Sequence, residues 1–272
     1  MAKVSIFSWF GFPIPMDKRF KMIKAAGFDG VLLWWSDEHA AVDGDKAVQP
    51  ALARENGLCV ENIHAPFEGI NCLWTDGRQG DEFEQVLANC INESAVHEIP
   101  TVVMHLSAGE HLQKTNQTGL DRIKRLVELA ERKNVNIALE NLRRLEYLHF
   151  ILDNIQSDRL GFCYDSGHEY CYNREADLLT QYGARLMAVH IHDNDGVHDL
   201  HKVPGEGSVD WKAVVAKLKK SVYRGAVALE VTNKFSKYGD TETPEWFLRR
   251  AFQSAKKLYE FLYGDSLSPS KR

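Results

Sequence analysis

From end to end the chain alternates short apolar runs with longer amphipathic segments, and this restricts the fold more than any other feature of the sequence. The runs at 4–10, 30–34, 58–64, 101–106, 135–139, 160–164, 186–191 and 226–231 are near-continuously apolar and read as strands buried on both faces. Between and after them, segments 16–26, 49–56, 82–97, 120–132, 146–155, 175–182, 211–218 and 244–262 read as helices. In 82–97, for example, Phe83, Val86, Leu87, Cys90, Ile91 and Ala95 recur at helical spacing. Strict βα alternation predicts a parallel sheet covered by helices. The 272 residues divide into eight units of 34, and a (β/α)8 barrel takes about 250 residues. No G-x-G-x-x-G or G-x-x-x-x-G-K-[ST] follows a strand, which disfavours the open nucleotide-binding sheets. No Ser/Gly-rich linker divides the chain. The expectation is an α/β protein, a single-domain (β/α)8 TIM barrel over 1–265 with a frayed polar tail at 266–272.

Charge and cysteine content narrow the class. Thirty-three Lys and Arg against 38 Asp and Glu leave a net charge of −5, with no general pull toward nucleic acid or anionic lipid. No apolar run approaches the roughly 20 residues a membrane span needs. The apolar stretch 4–12 is broken by Ser and ends at Pro13, unlike a signal peptide. Cys59, Cys72, Cys90, Cys163 and Cys171 are odd in number and include no C-x-x-C, so reduced thiols in a cytoplasmic protein are expected.

Chemistry appears at the strand ends. The third strand ends at His64 (I-H-A-P-F), the fourth at His105 (V-V-M-H-L) and the fifth at Glu140 (A-L-E-N). The sixth gives Asp165 and His168 (Y-D-S-G-H), the seventh His190 (H-I-H-D-N-D-G) and the eighth Glu230 (V-A-L-E-V). In a parallel barrel these ends converge on the face that carries active sites. Each residue alone could be a cap, a loop ion pair or a core imidazole, and Asp165 before Ser-Gly fits a helix cap. Collecting all of them in one place without a shared partner would be costly. Mixed imidazole and carboxylate suit a divalent ion such as Zn, Mn or Co, whereas Mg prefers oxygen alone. Glu140, Asp165, His190 and Glu230 would make one complete ligand set. Asp199 and His201, two residues apart, could both face inward from an extended loop. His192 alternates with His190 and is expected to point away, in a supporting role. His39, His97, His111 and His149 have no partner pattern.

These strings, in this order and spacing, resemble the xylose isomerase-like barrels, a superfamily that includes sugar phosphate isomerases and epimerases and endonuclease IV. The resemblance runs from Ser5 to about Glu230, and also takes in D-L-H-K-V-P-G-E-G at residues 199–207. It implies one divalent ion on Glu140, Asp165, His190 and Glu230, with Glu140 and Glu230 moving protons next to a carbonyl. It implies that His168 contacts substrate oxygens. Trp9, Phe12, Trp34, Phe67 and Trp74 could cover the apolar faces of a sugar, and Lys202, Arg143 and Arg144 could meet a phosphate.

Endonuclease IV, in the same superfamily, holds three zinc ions with nine residues. Residues of matching type stand here at His64, His105, Glu140, Asp165, His168, His190, Asp199, His201 and Glu230. Against a DNA hydrolase, the loop S-D-E-H-A-A-V-D-G-D is acidic, and Arg78 is the one basic residue of the loop 68–80. The favoured expectation is a metal-dependent isomerase or epimerase of a small sugar or sugar phosphate, with no membrane partner. The alternatives are a nuclease acting on abasic DNA and a sugar-binding barrel without catalysis. Family members often self-associate, but no interface stripe stands out.

Overall fold

The computed structural model describes residues 3–109 and 112–264. The expected tail at 266–272 and His111 lie outside them. Eight parallel strands form one sheet: β1 (Val4–Phe7), β2 (Gly30–Trp34), β3 (Cys59–His64), β4 (Thr101–Met104), β5 (Asn136–Glu140), β6 (Leu160–Asp165), β7 (Leu186–His190) and β8 (Val227–Leu229). Neighbours in sequence are neighbours in the sheet, and β8 pairs with β1. Ile191, just past β7, bridges Leu229 in parallel and closes the ring. The structure is the single TIM barrel expected from the alternation.

Among the described residues ten α-helices surround it: α1 (Met16–Ala26), α2 (Ala40–Asp43), α3 (Gln49–Glu55), α4 (Arg78–Val96), α5 (Gln117–Lys133), α6 (Leu145–Asn154), α7 (Ser166–Tyr172), α8 (Leu178–Tyr182), α9 (Trp211–Lys220) and α10 (Pro244–Tyr263). Two of them, α2 and α7, are absent from the sequence-based expectation. α7 follows β6 with no intervening loop. Asp165, the last strand residue, caps it by accepting from the His168 N–H at 2.6 Å. Termination elsewhere follows ordinary chemistry: α1 ends on Gly27 and α5 on Asn134, both left-handed.

Side-chain alternation along the strands sets the height of the site. Val103, Ala138, Cys163 and Ala188 form a small apolar cluster separate from the main core. His105, Glu140, Asp165 and His190 each stand two residues further along the chain, hence on the same inward face one layer higher. None of the five cysteines is paired, and no helix among the described residues is long and apolar enough to cross a membrane.

Behind the mouth, Trp74 is buried and its Nε1 donates to the Leu106 carbonyl at 2.7 Å. A Cβ at Gly119 of α5 would overlap this indole. Alanine normally favours a helix over glycine by about 1 kcal/mol, but overpacking against a fixed ring costs about 1–3 kcal/mol. Gly119→Ala should therefore lower stability, read as a lower urea midpoint at unchanged slope.

Candidate functional site

The strand ends converge on Glu140. Its side chain is 1% exposed, and four imidazoles face it. Oε2 lies 3.2 Å from His64 Nε2 and 3.3 Å from His105 Nε2. Oε1 lies 3.3 Å from His168 Nδ1 and 3.4 Å from His190 Nδ1. Burial by itself would raise the Glu140 carboxyl; the imidazoles, His190 foremost, instead hold it well below the usual carboxylate range. Burial likewise opposes ionisation of Glu230, and His190 again lowers it.

Backbone carbonyls orient several of these rings. His64 Nδ1 lies 2.8 Å from the Ala65 oxygen, His168 Nδ1 3.0 Å from Asn141 and His201 Nδ1 2.9 Å from Glu230. Since a carbonyl can only accept, each Nδ1 carries the proton, and a neutral ring then presents a bare Nε2 lone pair. Those lone pairs face carboxylate oxygens: His64 Nε2 faces Glu140, while His168 Nε2 and His201 Nε2 face Asp199 at 3.1 and 3.3 Å. Lone pair against carboxylate is repulsive unless positive charge lies between. Additional protons can supply it. Burial disfavours charging His201, but Asp199 and Glu230 outweigh that and lift its pKa to about 9. The same opposition, led by Asp165 and Asp199, holds His168 well above its ordinary value.

A cation is the other solution, and the donor set fits one. His190 Nδ1 lies 2.8 Å from Glu230 Oε2, yet both ring nitrogens of His190 and that oxygen are buried without a hydrogen bond. Close but misaligned atoms are what two ligands of one ion present. Among the described residues three groups have ligand atoms within 4.8 Å of one another: Glu140, Asp165, His190 and Glu230; His64, Glu140 and His190; and His168, His192, Asp199 and His201.

The nine ionisable residues singled out from the sequence, His64, His105, Glu140, Asp165, His168, His190, Asp199, His201 and Glu230, are brought together here. His192, expected in a supporting role, lies in the group with His168, Asp199 and His201: its Nε2 is 3.0 Å from Asp165 Oδ1, and its ring stacks on His201 with centroids 4.0 Å apart. The aromatic expectations divide. Trp34 and Phe67 stand beside His64, and Phe67 stacks on His105 at 4.5 Å. Trp74 is core, Phe12 packs on Phe10 and Phe247, and Trp9 stacks on His39. Lys202 spends its backbone on a bridge to Asp193.

Sequence reasoning missed three supporting residues. Asn141, wholly buried, clamps the end of β6: its Oδ1 accepts from the Asp165 N–H at 2.7 Å and its Nδ2 donates to the Asp165 carbonyl at 2.9 Å. Ser166 Oγ donates to the His192 carbonyl at 2.9 Å. Asp193, also wholly buried, accepts from the N–H groups of Asn194, Gly205 and Val209 and from Trp211 Nε1. That network folds back the loop carrying Asp199 and His201. All three residues follow a strand-end ligand or stand among the quoted motifs, which was the available signal.

Beside the cluster opens a cavity of about 390 Å³, lined by Phe67, His105, Ser107, Leu142, His168 and Tyr172 together with Arg143 and Arg144. Its volume suits a small molecule.

A TIM barrel with convergent imidazoles and carboxylates at the C-terminal ends of its strands defines the class. The chain belongs to the xylose isomerase-like TIM barrel family, which it matches over residues 20–250. It is 25% identical to inosose isomerase of Bacillus subtilis over 195 residues, covering 65% of this chain and 66% of that one. Two uncharacterized relatives, from Methanocaldococcus jannaschii and Sinorhizobium fredii, are 26% and 29% identical over 63% and 65% of this chain, and the chain spans only 64% and 60% of their lengths. A D-tagatose 3-epimerase-like protein shares the fold, with a TM-score of 0.77 at 22% identity over 98% of this chain and 100% of its own.

Two outcomes are expected. Asp193→Ala removes one acceptor from four buried donors, so its thermal midpoint should fall and amide exchange in residues 194–209 should quicken. In chelator-treated protein, His201 stabilises the fold fully below its ordinary 6.5, and this is lost as pH rises through about 9. Glu140 and Glu230, lowered in the fold, act oppositely, stabilising above 4.5 and failing as pH drops below it. The midpoint of the stripped protein should thus peak between these limits and fall by on the order of a few degrees toward alkaline pH. Added Mn²⁺ should remove the alkaline fall.

Proposed function

We propose that the protein is a divalent-metal-dependent sugar isomerase or epimerase in which Glu140 and Glu230 move the proton next to a substrate carbonyl. One observation carries this reading: Glu140, Asp165, His190 and Glu230 bring their ligand atoms within 4.8 Å of one another, while His190 and Glu230 keep buried polar atoms without hydrogen bonds. Those four residues would hold the ion. When bound, a divalent ion there supplies Lewis acidity toward a carbonyl and its neighbouring hydroxyl.

Glu230 is the more accessible carboxylate, with a side chain 18% exposed against 1% for Glu140. It accepts the proton from carbon. Glu140, kept ionised by its imidazoles, serves the other face of the substrate. A carboxylate on each face lets a proton leave from one side and return on the other, which is epimerisation; return by the same carboxylate to the next carbon is isomerisation. His168, on the cavity wall, orients substrate oxygens. Phe67 and Trp34 cover the apolar face of the sugar and exclude water. The names of the inosose isomerase and the tagatose 3-epimerase-like protein support this class of chemistry.

A second reading, a three-ion phosphodiesterase of the endonuclease IV kind, is favoured by the separate cluster of His168, His192, Asp199 and His201. Against it, the β2 loop presents Asp37 and Glu38 at the surface, and Arg78 is paired with Glu82. Metal stoichiometry separates the two, one ion per chain favouring the isomerase and three the nuclease. Mn²⁺- or Co²⁺-loaded protein should exchange the proton next to a ketose carbonyl with deuterated solvent. Glu140→Gln and Glu230→Gln should each slow this by about 10²–10⁴-fold. Absence of exchange across a broad panel of ketoses, inososes and their phosphates, with cleavage of an abasic duplex instead, would reverse the assignment. Turnover abolished in Glu140→Gln would dispose of a purely sugar-binding barrel.

A further inference from the structure

The cavity beside the cluster carries two hydroxyls that the fold does not use. Ser107, from the segment after β4, and Tyr172, from the last turn of α7, both line it. Among the described residues neither hydroxyl has a hydrogen-bond partner, and neither is one of the buried polar atoms that lack one, so both remain accessible. Other tyrosines spend theirs inside the protein. Tyr164 donates to Glu169 at 2.6 Å, Tyr223 to the Ala226 carbonyl at 2.8 Å and Tyr263 to the Gly225 carbonyl at 3.0 Å. We infer that Ser107 and Tyr172 determine specificity, their hydroxyls bonding to hydroxyl groups on the substrate carbons beyond those that react. The site then selects a polyhydroxylated chain over a short hydroxyketone. This rests on the isomerase reading for which end of the substrate meets the cluster.

Each hydroxyl is carried on the same segment as a ring of the cluster. Ser107 stands two residues beyond His105, and Tyr172 four beyond His168, one turn along α7. Both histidines lie 3.3 Å from a Glu140 oxygen. A substrate whose reacting end lies at the cluster therefore extends past these rings toward the two hydroxyls. Both residues are also held before a ligand arrives. The Tyr172 ring stacks on His168 with centroids 5.8 Å apart, and the Arg143 guanidinium lies 4.7 Å from its centroid. Ser107 sits between two anchored neighbours. The Leu106 carbonyl accepts from Trp74 Nε1 at 2.7 Å. The Ala108 N–H donates to Asn71 Oδ1 at 3.0 Å, and its carbonyl accepts from Asn71 Nδ2 at 2.7 Å. Groups fixed in advance lose little freedom on binding.

The chemistry matches a polyol. A serine or tyrosine hydroxyl both donates and accepts, and so does each hydroxyl of a sugar. Phe67 and Leu142, on the same wall, give the cavity an apolar flank for the carbon face. A site built to bond a substrate hydroxyl discriminates against the analogue that lacks it, because its own polar group is then left unpaired.

The test titrates D-fructose, D-tagatose and dihydroxyacetone by calorimetry into Mn²⁺-loaded wild type, Tyr172→Phe, Ser107→Ala and Ser107→Thr. Dihydroxyacetone keeps the carbonyl and its neighbouring hydroxyls but has no carbon beyond them. Tyr172→Phe keeps the ring and its contacts, and circular dichroism with thermal midpoints establishes that each variant is folded. Wild type should bind one of the hexoses at least about tenfold more tightly than dihydroxyacetone. Tyr172→Phe and Ser107→Ala should each weaken that hexose by about three- to tenfold, the range of one neutral hydrogen bond, while dihydroxyacetone changes by less than about twofold. Ser107→Thr, which keeps a hydroxyl, should retain most of the affinity. Equal binding of hexose and dihydroxyacetone by wild type, equal loss of both ligands, unchanged hexose binding in either folded variant, or binding of none of the three overturns the inference. Solvent deuterium exchange on the same samples keeps the two ideas apart. Hexose-selective loss without exchange sustains the two hydroxyl contacts while the isomerase assignment fails. Exchange with an unchanged hexose preference in the variants does the reverse.

Discussion

A carboxylate stays ionised out of water only if positive charge or hydrogen-bond donors stand close to it, and Glu140 is held almost fully out of water at the centre of this barrel. The requirement reaches far into the structure. His64, His105, His168 and His190 come from four different chain segments and all end within 3.4 Å of Glu140. Two of these four rings, His64 and His168, are aimed by backbone carbonyls. The carbonyls are themselves fixed by the ends of β3 and β5. Moving any one strand by one residue would turn its ligand from the interior to the helix side.

Below this layer the barrel is conventional, with the sheet sealed by apolar side chains. Val103, Ala138, Cys163 and Ala188 are small, and small residues beneath leave room for long ones above. Space is equally tight around α7. A Cβ on Gly167 would overlap the His192 ring, so glycine is required there for the close approach of α7 to that ring. Stability therefore comes from the lower layers, and the polar layer draws on it: each buried carboxylate and imidazole is tolerated because the strands beneath cannot shift.

Much of this was legible in the sequence. β2 and α1 coincide with their expected spans, and the other strands differ at their ends by no more than a few residues. Period and apolar content are local properties, and a parallel barrel exposes them clearly. The polar residue at or just past the end of each of the last six strands was legible for the same reason. What escaped notice depends on chain direction after a strand ends. The cap at Asp165 was legible, but α7 itself was not expected, because Asp165 serves at once as strand end, helix cap and member of the cluster. The grouping of His192 with His168, Asp199 and His201 was not assembled from the sequence, because it joins a helix, a strand end and a loop. Asn141 and Asp193 act through hydrogen bonds to distant backbone, and no spacing rule encodes those partners.

The ring is not uniformly sealed. Along seven of its seams, ladders of two to five residue pairs join the strands, whereas β7 meets β8 through the bridge of Ile191 to Leu229. β8 is three residues long, the shortest stave. Glu230 follows it directly, and His190 immediately precedes Ile191 on the opposite side of the join. The thinnest seam of the cylinder thus runs between two members of the same ligand set. Any opening of that join would separate them directly. An ion spanning them would act as a rivet, fastening the cylinder where its own hydrogen bonds are fewest.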